Sequence, residues 1–395
     1  MPSIGTNLPT CVYVSRCPIA TDLCKTDKPP VVPLGDGRWT RCHHSDQVSA
    51  IADVNEEVPN YQIGEDRVVE LKGVSKTFRQ RGNDIPALVS VDLGFSEGET
   101  LGLVGESGSG KSTLAKTMLG VHGPDDGSEI TLDGTPMKGL ATERRDGAIR
   151  AIQMVFQNPD SALNRAWTVR RILTRTVTSL TPLSGADADR QVEEIAEAMR
   201  LSPHHLDMRP RQLSGGLKQR VAIARAFAGD PRVVVCDEPT SALDVSVQAA
   251  ILNLLANVQH DERTSYLFIT HDIGVVRYLA DRIAVMYVGR IMEKGFTEDI
   301  FNGPVHPYTE ALLSAVPNVD GMASKRIPLE GDIPSPADPP PGCVFHTRCQ
   351  YSIPGTCDAV LPPDIEVGPQ HIIRCHLPLE ELPTPVTVSL TKKDE

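Results

Sequence analysis

The stretch GESGSGKS, Gly105 to Ser112, decides the fold of this 395-residue chain. It fits the pattern GxxxxGK[ST], in which backbone N–H groups surround phosphates, the lysine reaches the β and γ phosphates and the final hydroxyl holds magnesium. The apolar run ETLGLVG at 99–105 predicts a short buried strand, and KSTLAKTMLG at 111–120 predicts a helix whose N-terminus faces the phosphates. The predicted nucleotide-binding residues are Gly105, Glu106, Ser107, Gly108, Ser109, Gly110, Lys111, Ser112 and Thr113.

A second acidic motif, RVVVCDEP at 232–239, lies downstream of this loop. Its β-branched run predicts a buried parallel strand, which would deliver Asp237 and Glu238 to the sheet edge beside the phosphate loop. We expect Asp237 to bind magnesium, directly or through water, and Glu238 to polarise the attacking water as a general base. A solvated acidic pair at a strand end is the alternative interpretation. Cys236, inside the strand, is predicted to be a small buried hydrophobe.

An ordered set of motifs is completed by Gln157, LSGG at 213–216, SALD at 241–244 and His271. Together with the phosphate loop and the acidic strand, this set resembles the ATP-binding cassette (ABC) family over residues 68–316. The resemblance implies that LSGG of one cassette closes over the ATP held by the phosphate loop of another. The implied signature residues are Leu213, Ser214, Gly215 and Gly216, and the implied dimer-loop residues are Ser241, Ala242, Leu243 and Asp244.

The same resemblance implies roles for single residues. Gln157 is implied to sense magnesium and to couple to a membrane partner, and His271 is implied to contact the γ phosphate. Phe78 lies where the family places an aromatic ring to stack on adenine, although a core position is the alternative. The family usually has glutamine after LSGG, where this chain has Leu217. The implied magnesium ligands are Ser112, Gln157 and Asp237.

These motifs predict an α/β fold: a P-loop NTPase of the ABC cassette type with a mixed-sheet core, a helical subdomain at about 158–228 and a small Cys-rich C-terminal extension. Strand-like runs at 266–270 and 283–287 alternate with helical runs at 192–200 and 245–259. The helix predicted after LSGG would present its N-terminus as an anion site.

Composition excludes several other uses of such a cassette. The chain has 39 basic and 51 acidic residues, with a net charge of −12 and no long basic run, so we expect no nucleic-acid partner. Lys111 and Ser214 are too close in sequence for the coiled coil of chromosome-maintenance ATPases; a soluble non-transport ABC ATPase remains an alternative. Neither a spanning apolar run nor a signal-peptide pattern is present. We therefore expect a peripheral protein on the cytoplasmic face of the membrane.

Eight of the nine cysteines form two sets with closely similar spacing. The sequences around the cysteines also match: CVYVSRC is similar to CVFHTRC, and TRCHH is similar to IRCHL. We interpret this as an internal repeat of one small module. The first set is Cys11, Cys17, Cys24 and Cys42, and the second set is Cys343, Cys349, Cys357 and Cys375.

Three interpretations of each cysteine set compete. Disulfides are disfavoured for an ATPase of the reducing cytoplasm. A zinc site usually comes as two close CxxC pairs, which are absent from this sequence, whereas an iron–sulfur cluster tolerates varied spacing. The segment HPYTEALLSAVP at 306–317 and the following CVFHTRC resemble the C-terminal extension of oligopeptide/dipeptide importer ATPases, some of which hold a 4Fe–4S cluster there. The resemblance therefore favours a structural 4Fe–4S cluster in the second set and makes the first set a further candidate, with zinc or no metal as the alternatives.

The repeat suggests a domain organisation. An extension of this kind normally follows its own cassette, so we interpret the chain as the C-terminal half of a fused two-cassette protein; a duplicated module on a single-cassette protein is the alternative. The expected segments are a Cys-rich remnant of a preceding cassette's extension, an acidic linker, the ATPase domain, the C-terminal extension and a disordered tail, at 1–45, 46–66, 67–303, 304–377 and 378–395.

The combined expectation is an enzyme that uses ATP and Mg²⁺ to energise import of oligopeptides or dipeptides. Its implied partners are two membrane permease subunits, a second cassette that is related or identical, and indirectly an extracytoplasmic substrate-binding protein. Relatives of this subfamily carry nickel, glutathione or sugars, so these cargoes remain alternatives.

Overall fold

The computed structural model describes residues 10–11, 13–14, 17, 19–35, 38–47, 66–80, 82–241, 243–316 and 326–385. The chain divides into two compact units, Met1–Gln62 and Ile63–Glu395. Of the predicted linker, only residues 46, 47 and 66 are described, and the last ten residues of the predicted tail lie outside the described residues.

The described residues of the smaller unit include a short helix and a two-stranded antiparallel sheet. The helix α1 spans Asp22–Thr26 and carries the buried Cys24. The hairpin is formed by β1 (Val31–Gly35) and β2 (Arg38–Arg41), with a bulge between Pro33 and Gly35.

The larger unit contains two sheets. Its strands are β3 (Arg67–Gln80), β4 (Asn83–Ser96), β5 (Thr100–Val104), β6 (Glu129–Leu132), β7 (Thr135–Pro136), β8 (Ile152–Val155), β9 (Val233–Asp237), β10 (Ser265–Thr270), β11 (Arg282–Tyr287), β12 (Arg290–Phe296), β13 (Asp364–Gly368) and β14 (His371–Arg374). The antiparallel sheet has the order β4-β3-β6-β7, and the main sheet has the order β13-β14-β12-β11-β5-β10-β9-β8. Strands β11, β5, β10, β9 and β8 run parallel.

Helices connect the parallel strands, and five of them form the region predicted as a helical subdomain. The α-helices are α2 (Lys111–Met118), α3 (Asp146–Ala151), α4 (Pro159–Ala162), α5 (Val169–Leu180), α6 (Gly185–Ala198), α7 (Pro203–Asp207), α8 (Gly215–Phe227), α9 (Val245–Glu262), α10 (Ile273–Leu279), α11 (Thr297–Asn302) and α12 (Pro307–Ser314). The helix predicted at 192–200 begins earlier, at Gly185, and ends at Ala198. Short 3-10 turns lie at Ala141–Glu143, Pro210–Gln212, His346–Arg348 and Leu379–Glu381.

The central strands are buried on both faces, which explains their continuous apolar sequence. Alternate residues of β9 pack into different cores: Val234 and Cys236 join the core shared with the helical subdomain, whereas Val233 and Val235 join the core beneath the antiparallel sheet. Cys236 is fully buried, as predicted, and burial raises the pKa of its thiol. The mixed α/β sheet with a helical insert confirms the predicted fold class.

The C-terminal extension continues the main sheet rather than standing apart from it. Strand β14 pairs with β12, with Glu293 opposite Ile373. The prediction of a disordered tail from residue 378 is wrong for residues 378–385. Leu382 is buried beside Ile373, and the backbone N–H of Val305 donates to the carbonyl of Pro383. Apolar burial and a backbone hydrogen bond therefore order the start of this proline-rich segment.

The two cysteine modules share one backbone pattern. The N–H of Cys11 donates to the carbonyl of Cys24 at 3.1 Å, and the N–H of Cys343 donates to that of Cys357 at 2.8 Å. The two hairpins have the same register and a bulge at the same place. A histidine after each last cysteine contacts a matching carbonyl, with His43 Nε2 3.1 Å from Asp27 O and His376 Nε2 2.9 Å from Val360 O. The repeat seen in the sequence is thus also a repeat of structure.

Candidate active site

The phosphate loop lies between β5 and α2. Gly110 caps the helix in the left-handed region, with φ of 107°. Gly105 passes so close to the backbone of β11 that a Cβ atom there would collide with the carbonyl oxygen of Met286. The N–H of Gly289, in the turn after β11, donates to the carbonyl of Ser109 at 2.8 Å. The neighbouring strands therefore fix the loop, and glycine is required where they approach it.

Lys111 is buried against this loop. Its Nζ atom donates to the carbonyl of Gly105 at 2.6 Å and to the carbonyl of Glu106 at 2.9 Å. Burial lowers the pKa of Lys111, and the nearby carboxylates of Glu238, Asp237 and Glu106 oppose that shift. The ammonium group thus lies inside the loop, where it can reach a bound phosphate group.

Ser112 and Asp237 meet beside the lysine. The hydroxyl of Ser112 donates to Oδ1 of Asp237 at 3.2 Å, joining the start of α2 to the end of β9. Burial raises the pKa of Asp237, and the hydrogen bond from Ser112 opposes that shift. A hydroxyl and a carboxylate oxygen next to a phosphate loop are the donor types that Mg²⁺ uses, so these residues fit that ion.

Glu238 is held between two other predicted site residues. Nε2 of Gln157 donates to its Oε2 at 2.9 Å, and Nδ1 of His271 lies 3.1 Å from its Oε1. Glu238 has a left-handed φ of 45°, and its N–H donates to the carbonyl of Ile269. Gln157, Glu238 and His271 follow the carboxyl ends of β8, β9 and β10, which are neighbours in the sheet. The parallel order therefore gathers three residues that are distant in sequence.

The signature motif lies at the start of α8, beside the loop that carries SALD. Ser214 caps the helix by accepting the N–H of Leu217 at 3.4 Å. A Cβ on Gly215 would lie 3.6 Å from a methyl group of Leu243. The N–H of Ser241 donates to the carbonyl of Glu238, and Asp244 is the N-cap residue of α9. Ala242 lies outside the described residues.

Phe78 lies on the β3–β4 hairpin and is half-buried. Its ring packs edge-on against His122 with centroids 5.1 Å apart, and Nζ of Lys76 lies 5.5 Å from the ring centre. Phe78 belongs to neither large apolar core. Its ring therefore packs against polar neighbours rather than filling the protein interior.

Two residues that the sequence analysis did not single out contact the phosphate loop. The hydroxyl of Tyr308 accepts the backbone N–H of Glu106 at 2.8 Å. The guanidinium group of Arg348 donates to both carboxylate oxygens of Glu106, at 2.6 and 3.2 Å. Tyr308 and Arg348 lie in two of the sequence motifs, HPYTEALL and CVFHTRC. No local spacing in these motifs predicts a contact with Glu106, about two hundred residues earlier in the chain.

The sulfurs of the C-terminal cysteine set accept backbone N–H groups. The donors are Phe345 and His346 to Cys343, Tyr351 to Cys349, Ile353 to Cys357, and His376 and Leu377 to Cys375. Burial raises the pKa of Cys343 to about 11 and that of Cys349 to about 12, and the charges of Cys357 and Cys375 contribute to both shifts. Within the described ranges, no three His, Cys, Asp or Glu side chains form a group that could hold a metal ion.

Comparison with known proteins agrees with this fold. A family model for ABC transporters matches residues 88–241, and a model for the C-terminal region of oligopeptide/dipeptide transporters matches residues 292–357. The chain is 40% identical over 324 residues to the oligopeptide transport ATP-binding protein AppF of Bacillus subtilis, covering 79% of this chain and 98% of that protein. It is 41% identical over 293 residues to the di/tripeptide transport ATP-binding protein DppF of Pseudomonas aeruginosa, covering 74% and 90%.

Solved structures give the same result. The cassette cbiO1 of Clostridium perfringens, described as part of the ABC transporter complex cbiONQ, matches with a TM-score of 0.53 and 27% identity over 60% of this chain and 91% of that one. The cassette MJ0796, solved as a dimer in a post-hydrolysis state with ADP and phosphate, matches with a TM-score of 0.52 and 30% identity over 58% and 98%.

The fold and site thus define an ATP-hydrolysing cassette. The chain belongs to the ABC transporter family, within the group of oligopeptide/dipeptide transport ATP-binding proteins. The predicted family and enzyme class are confirmed. No described helix has the length and apolar character needed to cross a membrane.

Proposed function

We propose that this chain energises the import of oligopeptides or dipeptides by hydrolysing ATP on the cytoplasmic face of a membrane. The peptide-transport names of AppF and DppF and the matching C-terminal region support this cargo. The observation that carries the catalytic part of the proposal is the position of Glu238, between Gln157 and His271 and one residue beyond Asp237.

In this mechanism the phosphate loop and Lys111 bind the triphosphate, and Phe78 packs against the adenine. Ser112, Asp237 and Gln157 would hold Mg²⁺, which would offset charge on the phosphates when bound. Glu238 accepts a proton from the attacking water, a role worth about 10²–10⁴-fold in rate. Gln157 contacts Glu238 through its amide nitrogen, so its amide oxygen would bind the magnesium ion, and His271 contacts Glu238 through Nδ1, so its Nε2 would contact the γ phosphate.

The signature motif acts on a second cassette. Ser214 and the first N–H groups of α8 form an anion site at a helix N-terminus. Closure of two related or identical cassettes would bring this end of α8 to the partner's ATP, and the loop at 241–244 would line the contact between them. Two membrane permease subunits would follow that closure through the surface near Gln157, and a substrate-binding protein would deliver the peptide to them.

The proposed domains follow from the same assignment. The ATPase domain spans 67–303, the extension spans 304–377, and residues 1–45 form a second copy of the extension's module. The matching hairpins and cysteine hydrogen bonds support this last assignment. Residues 46–66 connect residues 1–45 to the ATPase domain.

Cargo is tested by reconstituting the chain with its permease and binding protein in proteoliposomes. We expect short peptides to stimulate ATP hydrolysis and to accumulate inside, with Glu238→Gln abolishing both effects. Stimulation by nickel or glutathione, but not by peptides, would contradict the peptide assignment. ATP hydrolysis that no transported solute affects would favour a non-transport ATPase.

We also propose that the C-terminal cysteine set holds a 4Fe–4S cluster. Four cysteine side chains in one small module, with backbone N–H groups donating to their sulfurs, have the chemistry that such clusters use. Cys343, Cys349, Cys357 and Cys375 would be the ligands. When bound, the cluster would cross-link segments of the extension and carry no step of ATP hydrolysis.

Metal analysis after anaerobic purification tests this assignment. We expect about four iron and four acid-labile sulfide per chain if one set is occupied, and about eight of each if Cys11, Cys17, Cys24 and Cys42 hold a second cluster. Zinc without sulfide, or neither metal, would contradict the cluster assignment. Cys236→Ser is the matched control, because Cys236 is buried in β9 and belongs to neither set.

A further inference from the structure

We propose that Arg348 is a positioning residue through which the Cys-rich extension sets the shape of the phosphate loop and thereby the ATP affinity of this cassette. The proposal rests on nucleotide binding by the phosphate loop and is independent of the transported cargo. It assigns to the extension a role in the ATPase site itself.

The contact between Arg348 and Glu106 is a two-point ion pair between a buried guanidinium group and a partly exposed carboxylate. Two guanidinium nitrogens donate to the two carboxylate oxygens, at 2.6 and 3.2 Å, and the Arg348 side chain is only 5% exposed. The same guanidinium group donates to the hydroxyl of Tyr287 at 3.3 Å. Such a forked contact fixes the direction of the carboxylate as well as its distance.

Glu106 is held at three places within one residue. Arg348 binds its carboxylate, Tyr308 accepts its N–H at 2.8 Å, and Lys111 donates to its carbonyl at 2.9 Å. The carbonyl of Glu106 accepts from Lys111, so its position depends on Tyr308 and Arg348, which follow β12 in the chain. Arg348 also neutralises a carboxylate that would otherwise repel the phosphates of ATP.

The extension carries Arg348 on the turn between two of its cysteines. The 3-10 turn His346–Arg348 lies between Cys343 and Cys349, and the N–H of Arg348 donates to the carbonyl of Phe345 at 3.0 Å. The ring of Phe345 packs against Tyr287 and Tyr308, with centroids 5.3 and 5.2 Å apart. A change in how the cysteine sulfurs are held would therefore move the turn that positions Arg348.

The first test measures binding of a fluorescent ATP analogue to the purified full chain. We expect Arg348→Ala to weaken binding roughly tenfold, within the usual range of coupling between sites. Arg374→Ala is the matched control: Arg374 also precedes a cysteine of the set and makes a two-point contact with Asp364, at 2.6 and 3.1 Å, but contacts no residue of the phosphate loop in the described structure. Equal affinities for the two variants would overturn the proposal.

Glu106→Gln separates the ion pair from general damage to the extension. It removes the pair without leaving an unpaired carboxylate, so we expect a smaller loss of affinity than for Arg348→Ala. Adding Arg348→Ala to Glu106→Gln should then change the affinity little. Independent losses in the double variant would contradict a role through Glu106. If Arg348→Ala does not fold, Arg348→Lys replaces it: an intermediate loss is expected, because lysine keeps the charge and loses the fork, and wild-type affinity would overturn the proposal.

The link to the cysteines needs one further comparison. We expect Cys349→Ser to weaken nucleotide binding in the wild-type background and to add little in the Arg348→Ala background. Unchanged affinity in the first case, or a full additional loss in the second, would show that the cysteines do not act through Arg348. The measurement is nucleotide affinity, so it does not depend on a reconstituted transporter.

Discussion

Nδ1 of His271 lies 3.1 Å from Oε1 of Glu238, and this contact joins the ends of two neighbouring parallel strands. Glu238 follows β9 directly, and His271 follows β10 directly. The side chain of Glu238 is 18% exposed and that of His271 is 60% exposed. The carboxylate is thus sheltered, whereas the imidazole remains open to a partner surface.

Glu238→Gln is expected to preserve ATP binding and to slow hydrolysis by about 10²–10⁴-fold, because the amide cannot accept the proton of the attacking water. Steady-state hydrolysis in the assembled transporter, with nucleotide binding measured in parallel, checks this. Glu194→Gln is the control, since Glu194 lies on the exposed face of α6. Appreciable hydrolysis by Glu238→Gln would remove this residue from the role of general base.

Ser214→Asp is expected to keep α8 capped while abolishing hydrolysis by paired cassettes. Aspartate caps a helix about as well as serine, so the melting temperature should change little, but its charge would repel a phosphate group. The control is Thr168→Asp, because Thr168 caps α5 by accepting the N–H of Arg171. Normal hydrolysis by Ser214→Asp would argue against phosphate contact by the signature motif.

Gly105→Ala is expected to abolish nucleotide binding. The new Cβ would collide with the carbonyl oxygen of Met286 and lie 2.9 Å from Oγ of Ser109, so the loop would have to move. Gly147→Ala is the control, because a Cβ at that helical position meets no atom within 4 Å. Binding of a fluorescent nucleotide measures the loss of the site, and thermal melting shows whether each variant stays folded. Unchanged binding by Gly105→Ala would show that the loop tolerates the shift.

His306 is expected to make the protein less stable in acid. Burial lowers its pKa from 6.5 to about 3, and its Nδ1 accepts the N–H of Tyr308 at 3.0 Å, which requires that nitrogen to be unprotonated. The unfolded chain takes up a proton below pH 6.5, whereas the folded chain does not until near pH 3. The stability from this group is therefore complete above pH 6.5 and is lost as the pH falls towards 3.

His306→Asn tests this pH dependence, because asparagine caps helices and does not titrate. Between about pH 7.5 and pH 5, the free energy of unfolding should fall by about 2 kcal/mol more in the wild type than in the variant. Asp281 has the opposite effect, since burial raises its pKa to about 6, but it is present in both proteins and cancels. Urea unfolding at the two pH values measures the free energy of unfolding of each protein. An equal change with pH in the wild type and in the variant would contradict the prediction.

Local sequence patterns predict most of the residues of the candidate ATP site. The phosphate loop, the acidic strand and the helix after Ser214 each have a short-range signal, because glycine spacing, apolar runs and capping residues act over a few positions. Gln157 and His271 were found through family resemblance instead, since a lone glutamine or histidine has no pattern of its own. The extent of the ordered C-terminal segment was missed, because the burial of Leu382 beside Ile373 depends on distant packing.

The sequence by itself determined the class of fold, the order of the motifs and the duplication of the cysteine module. Only the tertiary structure decided which residues meet. Parallel pairing of β8, β9 and β10 brings Gln157, Glu238 and His271 together, and the extension of the main sheet through β12 and β14 ties the Cys-rich segment to the ATPase core. The pairing of Arg348 with Glu106 has no local signal, because two charges 242 positions apart become neighbours only when the strands between them have packed.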